Sequence, residues 1–110
     1  GLGDVYKRQV LCGMTYTLLH GARKLTAADV EFVNAVRRYA PERTNLISAA
    51  ILKAVTDGGR FEMMDNVVRG LTGAGEDGTQ RLLTIGSSSG SEMLLGITIV
   101  AKLIHGRGQL

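Results

Sequence analysis

The chain has 110 residues and a formal net charge of +3, with 45% hydrophobic and 21% charged residues. That composition suits one small globular domain and excludes a disordered chain, which is poor in apolar residues and high in net charge. Thirteen basic and ten acidic residues are interspersed, with no basic run longer than two, so no concentrated cationic face points to nucleic acid.

The opening GLGDVYKRQ is polar and has no helical apolar period, and nothing marks a helix start before the apolar segment that follows. DVYKRQ also resembles a translated adaptor sequence found at the ends of assembled metagenomic reads. Residues 1–9 are therefore expected to be a non-native or disordered leader. From Val10 onward the pattern is helical. Val10, Leu11, Met14, Leu18 and Leu19 share one face of a helix that Gly21 can stop. Thr26 and Asp29 then form a capping box ahead of Val30, Val33 and Val36, and Pro41 ends that helix. Thr44 or Asn45 can cap a third helix, with Ile47, Ala50, Ile51, Ala54 and Val55 as a wide apolar face and Gly58 or Gly59 as its left-handed cap. Phe61, Met64, Val68 and Leu71 mark a fourth. After the glycine-rich TGAGEDG comes a short helix near residues 78–85, then a last one reaching His105, with residues 106–110 as a frayed tail. No segment alternates as a strand would. The expected fold is all-α, a cluster of about six short helices spanning residues 10–105, a piece of a larger domain whose thin core leaves a helix face for a partner.

Cys12 is the single cysteine, so no intramolecular disulfide forms, and it reads as a small buried hydrophobe. With two histidines, His20 and His105, a zinc cluster is not expected. The nearly apolar stretch from Met93 to Ile104 falls short of the roughly 20 residues a membrane span takes. No signal peptide is recognisable, and a cytoplasmic location is expected. Met63, Met64 and Met93 read as core filler, and Arg60, Arg69 and Arg81 as surface charges.

Two features stand out. Leu11-Cys12-Gly13-Met14-Thr15-Tyr16 and Leu94-Leu95-Gly96-Ile97-Thr98-Ile99 share the pattern Leu-x-Gly-apolar-Thr-apolar at an offset of 83. The second is Gly86-Ser87-Ser88-Ser89-Gly90 followed by Glu92 at the mouth of the last helix. Unpaired amides there carry partial positive charge, glycine admits a ligand close to the backbone, and hydroxyls add donors. The loop thus suits a phosphate, a carboxylate or a carbamoyl oxygen. Ser89 with Glu92 can equally be a capping box. The charge of Glu92 opposes a bare anion unless Mg²⁺ or an arginine intervenes; no cofactor is otherwise indicated. Arg43 beside Thr44 offers a bidentate clamp for the same kind of group, or is a solvated first-turn arginine.

Thr44-x-x-x-Ser48, together with Gly86, Ser89, Gly90, Glu92, Leu94 and Gly96, resembles the C-terminal part of the AllH family, a subunit of oxamate carbamoyltransferase from anaerobic allantoin breakdown. Where that family carries Asp, this chain has Glu92. An earlier Pro-Ser-Gly-Asp-Asp element, which in the family precedes a segment like LCGMTYTLLH, is absent; GLGDVYKRQ stands in its place. The resemblance implies a subunit of a multi-protein transferase that moves a carbamoyl group between oxalurate and phosphate. It implies partner subunits and a small anionic substrate (oxamate, oxalurate, phosphate or carbamoyl phosphate) held by Gly86, Ser87, Ser88, Ser89, Gly90, Glu92, Arg43, Thr44 and Ser48. On this reading the 110 residues alone form part of a site and are inactive. The alternative is a non-catalytic helical module that docks partner subunits through the apolar face at 46–55.

Overall fold

The computed structural model describes residues 2–22, 24–40, 47–71 and 89–108. Five helices occupy them: α1 (Leu2–Gly21), α2 (Ala27–Tyr39), α3 (Ile47–Thr56), α4 (Glu62–Leu71) and α5 (Ser89–Gly106). Among the described residues there is no strand. The short helix expected at 78–85 lies outside the described residues, as do the caps expected at Thr44 and Asn45.

α1 is the central element, with all four other helices arranged around it or its partner α5. The first helix does not wait for Val10: it is continuous from Leu2, and Gln9 is buried. Apolar periodicity misses this stretch because exposed Lys7 interrupts it. Central placement also explains why, of the expected face, Leu18 alone is among the residues most buried on α1. Cys12, Thr15, Tyr16, Thr17 and Leu18 are all at most 3% exposed, whereas Val10, Leu11, Met14 and Leu19 are half-buried. A helix enclosed on several sides buries small polar residues too, provided their hydroxyls have partners. Thr17 donates to the Gly13 carbonyl at 2.8 Å; the Thr15 hydroxyl has no partner.

The α2 start is the one read from sequence. Thr26 Oγ1 accepts from the Asp29 amide at 3.1 Å while Asp29 Oδ2 accepts from the Thr26 amide at 2.9 Å. Ala40, the residue before Pro41, is extended at ψ 119°, and α2 stops at Tyr39. Gly58 takes the left-handed φ of +89° just past α3. α3 itself buries Ala49, Leu52, Val55 and Thr56; of the expected face, Val55 is fully buried, Ile51 and Ala54 are half-buried and Ala50 is exposed. In a run apolar at nearly every position, periodicity cannot select a face. On α4 the buried residues are Met64, Val67 and Val68, while Leu71 is 48% exposed.

Two apolar clusters form the core. The larger joins Cys12 and Tyr16 of α1, Leu52 and Val55 of α3, Met64, Val67 and Val68 of α4, and Met93 and Ile97 of α5. The smaller joins Leu18, Val33, Val100 and Ile104. Asp29 at the start of α2 holds Arg107 beyond α5 by a bidentate pair at 2.8 and 2.9 Å, closing that end of the molecule.

Candidate functional site

The two copies of the repeated pattern pack on each other. A Cβ added at Gly13 would overlap the Met93 carbonyl oxygen and stand 2.9 Å from its carbon and 3.0 Å from the Ile97 nitrogen. A Cβ at Gly96 would overlap the Val10 carbonyl oxygen and stand 2.8 Å from the Met14 nitrogen. Val10, Gly13 and Met14 are offset by 83 from Met93, Gly96 and Ile97. Each glycine therefore sits in the other helix's backbone groove, against equivalent residues. The short repeat is a near-symmetric helix crossing, and glycine at both centres is what lets the backbones touch.

The two helices run in the same sense. Beyond the crossing, Leu18 joins Val100 and Ile104, and Arg107 reaches Asp29, which follows α1 closely in the chain. α3 also runs toward the His20 end of α1, because Gly59 and Phe61, just past it, meet His20 and Tyr16. The starts of α3 and α5 thus point the same way along the bundle. Ser48 is the second residue of α3 and Ser89 the first of α5. Gly90 is buried and Glu92 half-buried in α5's first turn. Gly86, Ser87, Ser88, Arg43 and Thr44 lie outside the described residues. The helix begins at Ser89 itself. Glu92 stands three residues on from Ser89, the spacing of a capping box, and the residues before Ser89 lie outside the described residues. Among the described residues no group of three or more His, Cys, Asp or Glu could hold a metal ion. None of the described helices is long and apolar enough to cross a membrane.

A polar cluster that sequence reasoning missed joins α1 to the α3–α4 connection. Tyr16 donates to Asp65 Oδ1 at 2.8 Å and accepts from the Phe61 amide at 3.2 Å. Arg60 also donates to Asp65 Oδ1 at 2.8 Å. The His20 ring lies tilted by 55° against the Tyr16 ring at 4.5 Å, with its Nε2 3.3 Å from the Gly59 carbonyl. Burial pushes the Tyr16 phenol up to about 12, with the Asp65 carboxylate adding to the rise. Burial, and then the charge of Arg60, lower the His20 imidazole below its ordinary value. A phenol so hard to ionise is no base at neutral pH; this cluster pins the α3–α4 connection to α1. The signal in sequence was Tyr16 and His20, one turn apart in the largely apolar second half of α1. Cys12 is buried as expected, and desolvation raises its thiol to about 12, so it is not a nucleophile.

A family model described as oxamate carbamoyltransferase subunit AllH matches residues 7–101. Neither the curated proteins nor the solved structures include a match to this chain.

Proposed function

The chain belongs to the oxamate carbamoyltransferase subunit AllH family, and from that premise we propose that it serves in a multi-subunit carbamoyltransferase, where the start of α5 helps hold an anionic substrate. The reaction joins the carbamoyl carbon of oxalurate to a phosphate oxygen. The bond from that carbon to the oxamate nitrogen breaks, and the nitrogen takes up a proton. Every participant carries a carboxylate or phosphate, and charge builds on oxygen as the carbonyl is attacked. Free amides at a helix start answer both needs.

The observation that carries this reading is the first turn of α5. Gly90 is buried there and brings no side chain, and the residues ahead of it are the serines of the family-like element. Glu92, half-buried in the same turn, would orient a carbamoyl nitrogen by accepting its hydrogens; were Mg²⁺ bound, the same carboxylate would help hold it, and the ion would offset the charge of a phosphate. The start of α3, with Ser48, points the same way, and Arg43 and Thr44 precede it in the chain. Enzyme activity, allantoin breakdown as the setting and a cytoplasmic location belong to the same proposal. The test is oxamate-dependent release of phosphate from carbamoyl phosphate by the assembled enzyme. Ser89→Ala with Glu92→Ala should abolish release while leaving the melting temperature unchanged; retained turnover would overturn the assignment.

The alternative, docking of partner subunits through the apolar face at 46–55, keeps part of that face: Val55 is buried in this chain's own core, whereas Ala50 is exposed and Ile51 and Ala54 are half-buried.

A further inference from the structure

The near-symmetry of α1 and α5 makes one surface conspicuous. On α1, Cys12 and Tyr16 are buried beneath α3 and α4, and His20 meets the loop after α3. Their equivalents at an offset of 83 are Leu95, Ile99 and Leu103. These three apolar side chains are 41%, 44% and 48% exposed, in a stripe along α5. The seat that α3 fills on α1 is thus repeated on α5, and there no described helix fills it. At its upper end the stripe continues into a groove of about 300 Å³ lined by Lys7, Val10, Leu11, Tyr39 and Leu95.

We propose that this stripe and groove dock one amphipathic helix from another subunit of the assembly, with an aliphatic ridge like that of α3 and acidic residues along its rim. The ridge follows from the repeated seat. The rim follows from charge: Lys7 lines the groove, Lys102 stands exposed beside Leu103, and both cations are at the edge of the apolar strip. Helix α3 of a second copy is not that helix, because its Ala49, Leu52 and Val55 are already wholly buried in their own core. Three side chains fall short of the roughly 800 Å² per partner of a standard interface, so the docked helix covers the groove as well as the stripe. This inference uses the family's subunit character and does not depend on what α5's first turn binds.

The experiment places a photo-crosslinking benzoylphenylalanine at Ile99, and separately at Leu103, in the full chain within the assembled enzyme. Mass spectrometry of the products should map both to one helical segment of a different subunit, with aliphatic residues at spacings of three and four and Asp or Glu beside them. Ile99→Glu and Leu103→Glu should then weaken association with that subunit at least tenfold while the isolated chain melts as before. Crosslinks confined to this chain, crosslinks to a second copy, no crosslinks, or undiminished association of both variants would each overturn the proposal.

Discussion

At the scale of single residues, Gly13 and Gly96 are the least replaceable positions. Alanine favours helix by about 1 kcal/mol over glycine, yet here its methyl group would run into the facing backbone. Backbone cannot swing aside as a side chain can, so Gly13→Ala and Gly96→Ala should each destabilise by about 1–3 kcal/mol or more. Gly106, where an added Cβ meets nothing within 4 Å, is the internal control: Gly106→Ala should be neutral or slightly stabilising. Chemical denaturation of the three variants checks this. Thr15 offers the reverse case. Its hydroxyl is buried without a partner, so Thr15→Val, of nearly equal shape, should raise stability by about 1 kcal/mol in the same measurement.

At the scale of elements, two contacts make stability depend on pH in separate windows. Arg107's hydrogen bonds, with help from the Thr26 amide, hold the Asp29 carboxyl below its ordinary range. The unfolded chain protonates that carboxyl first, so the stabilisation is fully present above about pH 4 and is lost as pH falls through the folded value. His20 is lowered by burial. The unfolded imidazole takes its proton near the ordinary 6.5, so stability also falls as pH drops below that value toward the folded one. Melting temperature should therefore decline in two steps on acidification. His20→Gln should remove the upper step and Asp29→Asn the lower; Asp29→Asn should also weaken the cap of α2, a loss of about 1 kcal/mol at neutral pH.

The elements also show what could be read from sequence. The α2 boundaries were legible because a capping box and a proline act locally. The α3 face was not, because LISAAILKAV is apolar almost throughout and only the packing partner chooses a side. The helical reach of α1 back to Leu2 was hidden by charge on its exposed flank. The repeated pattern was visible as six residues; that it was a contact, each glycine against the other helix's backbone, needed the structure. Of the anion site, the starts of α3 and α5 came out pointing the same way, while its loop residues Arg43, Thr44, Gly86, Ser87 and Ser88 fall outside the described residues. The exposed stripe was missed because an apolar helix reads as core until its neighbours are known.

At the scale of the whole molecule, one crossing organises everything else. α1 and α5 run together through Gly13 and Gly96, α3 joins them in the same sense, and Asp29 with Arg107 locks the far end. The free end gathers the starts of helices, where partial positive charge collects, and the outer side of α5 keeps its aliphatic stripe. On the proposed reading, substrate would meet that end of the subunit and a partner that side. The most direct measurement is calorimetric titration of phosphate into the assembled enzyme, wild type against Ser89→Ala with Glu92→Ala, both checked for unchanged melting. The account predicts at least a tenfold loss of affinity in the double variant; equal affinity in the two proteins would contradict it.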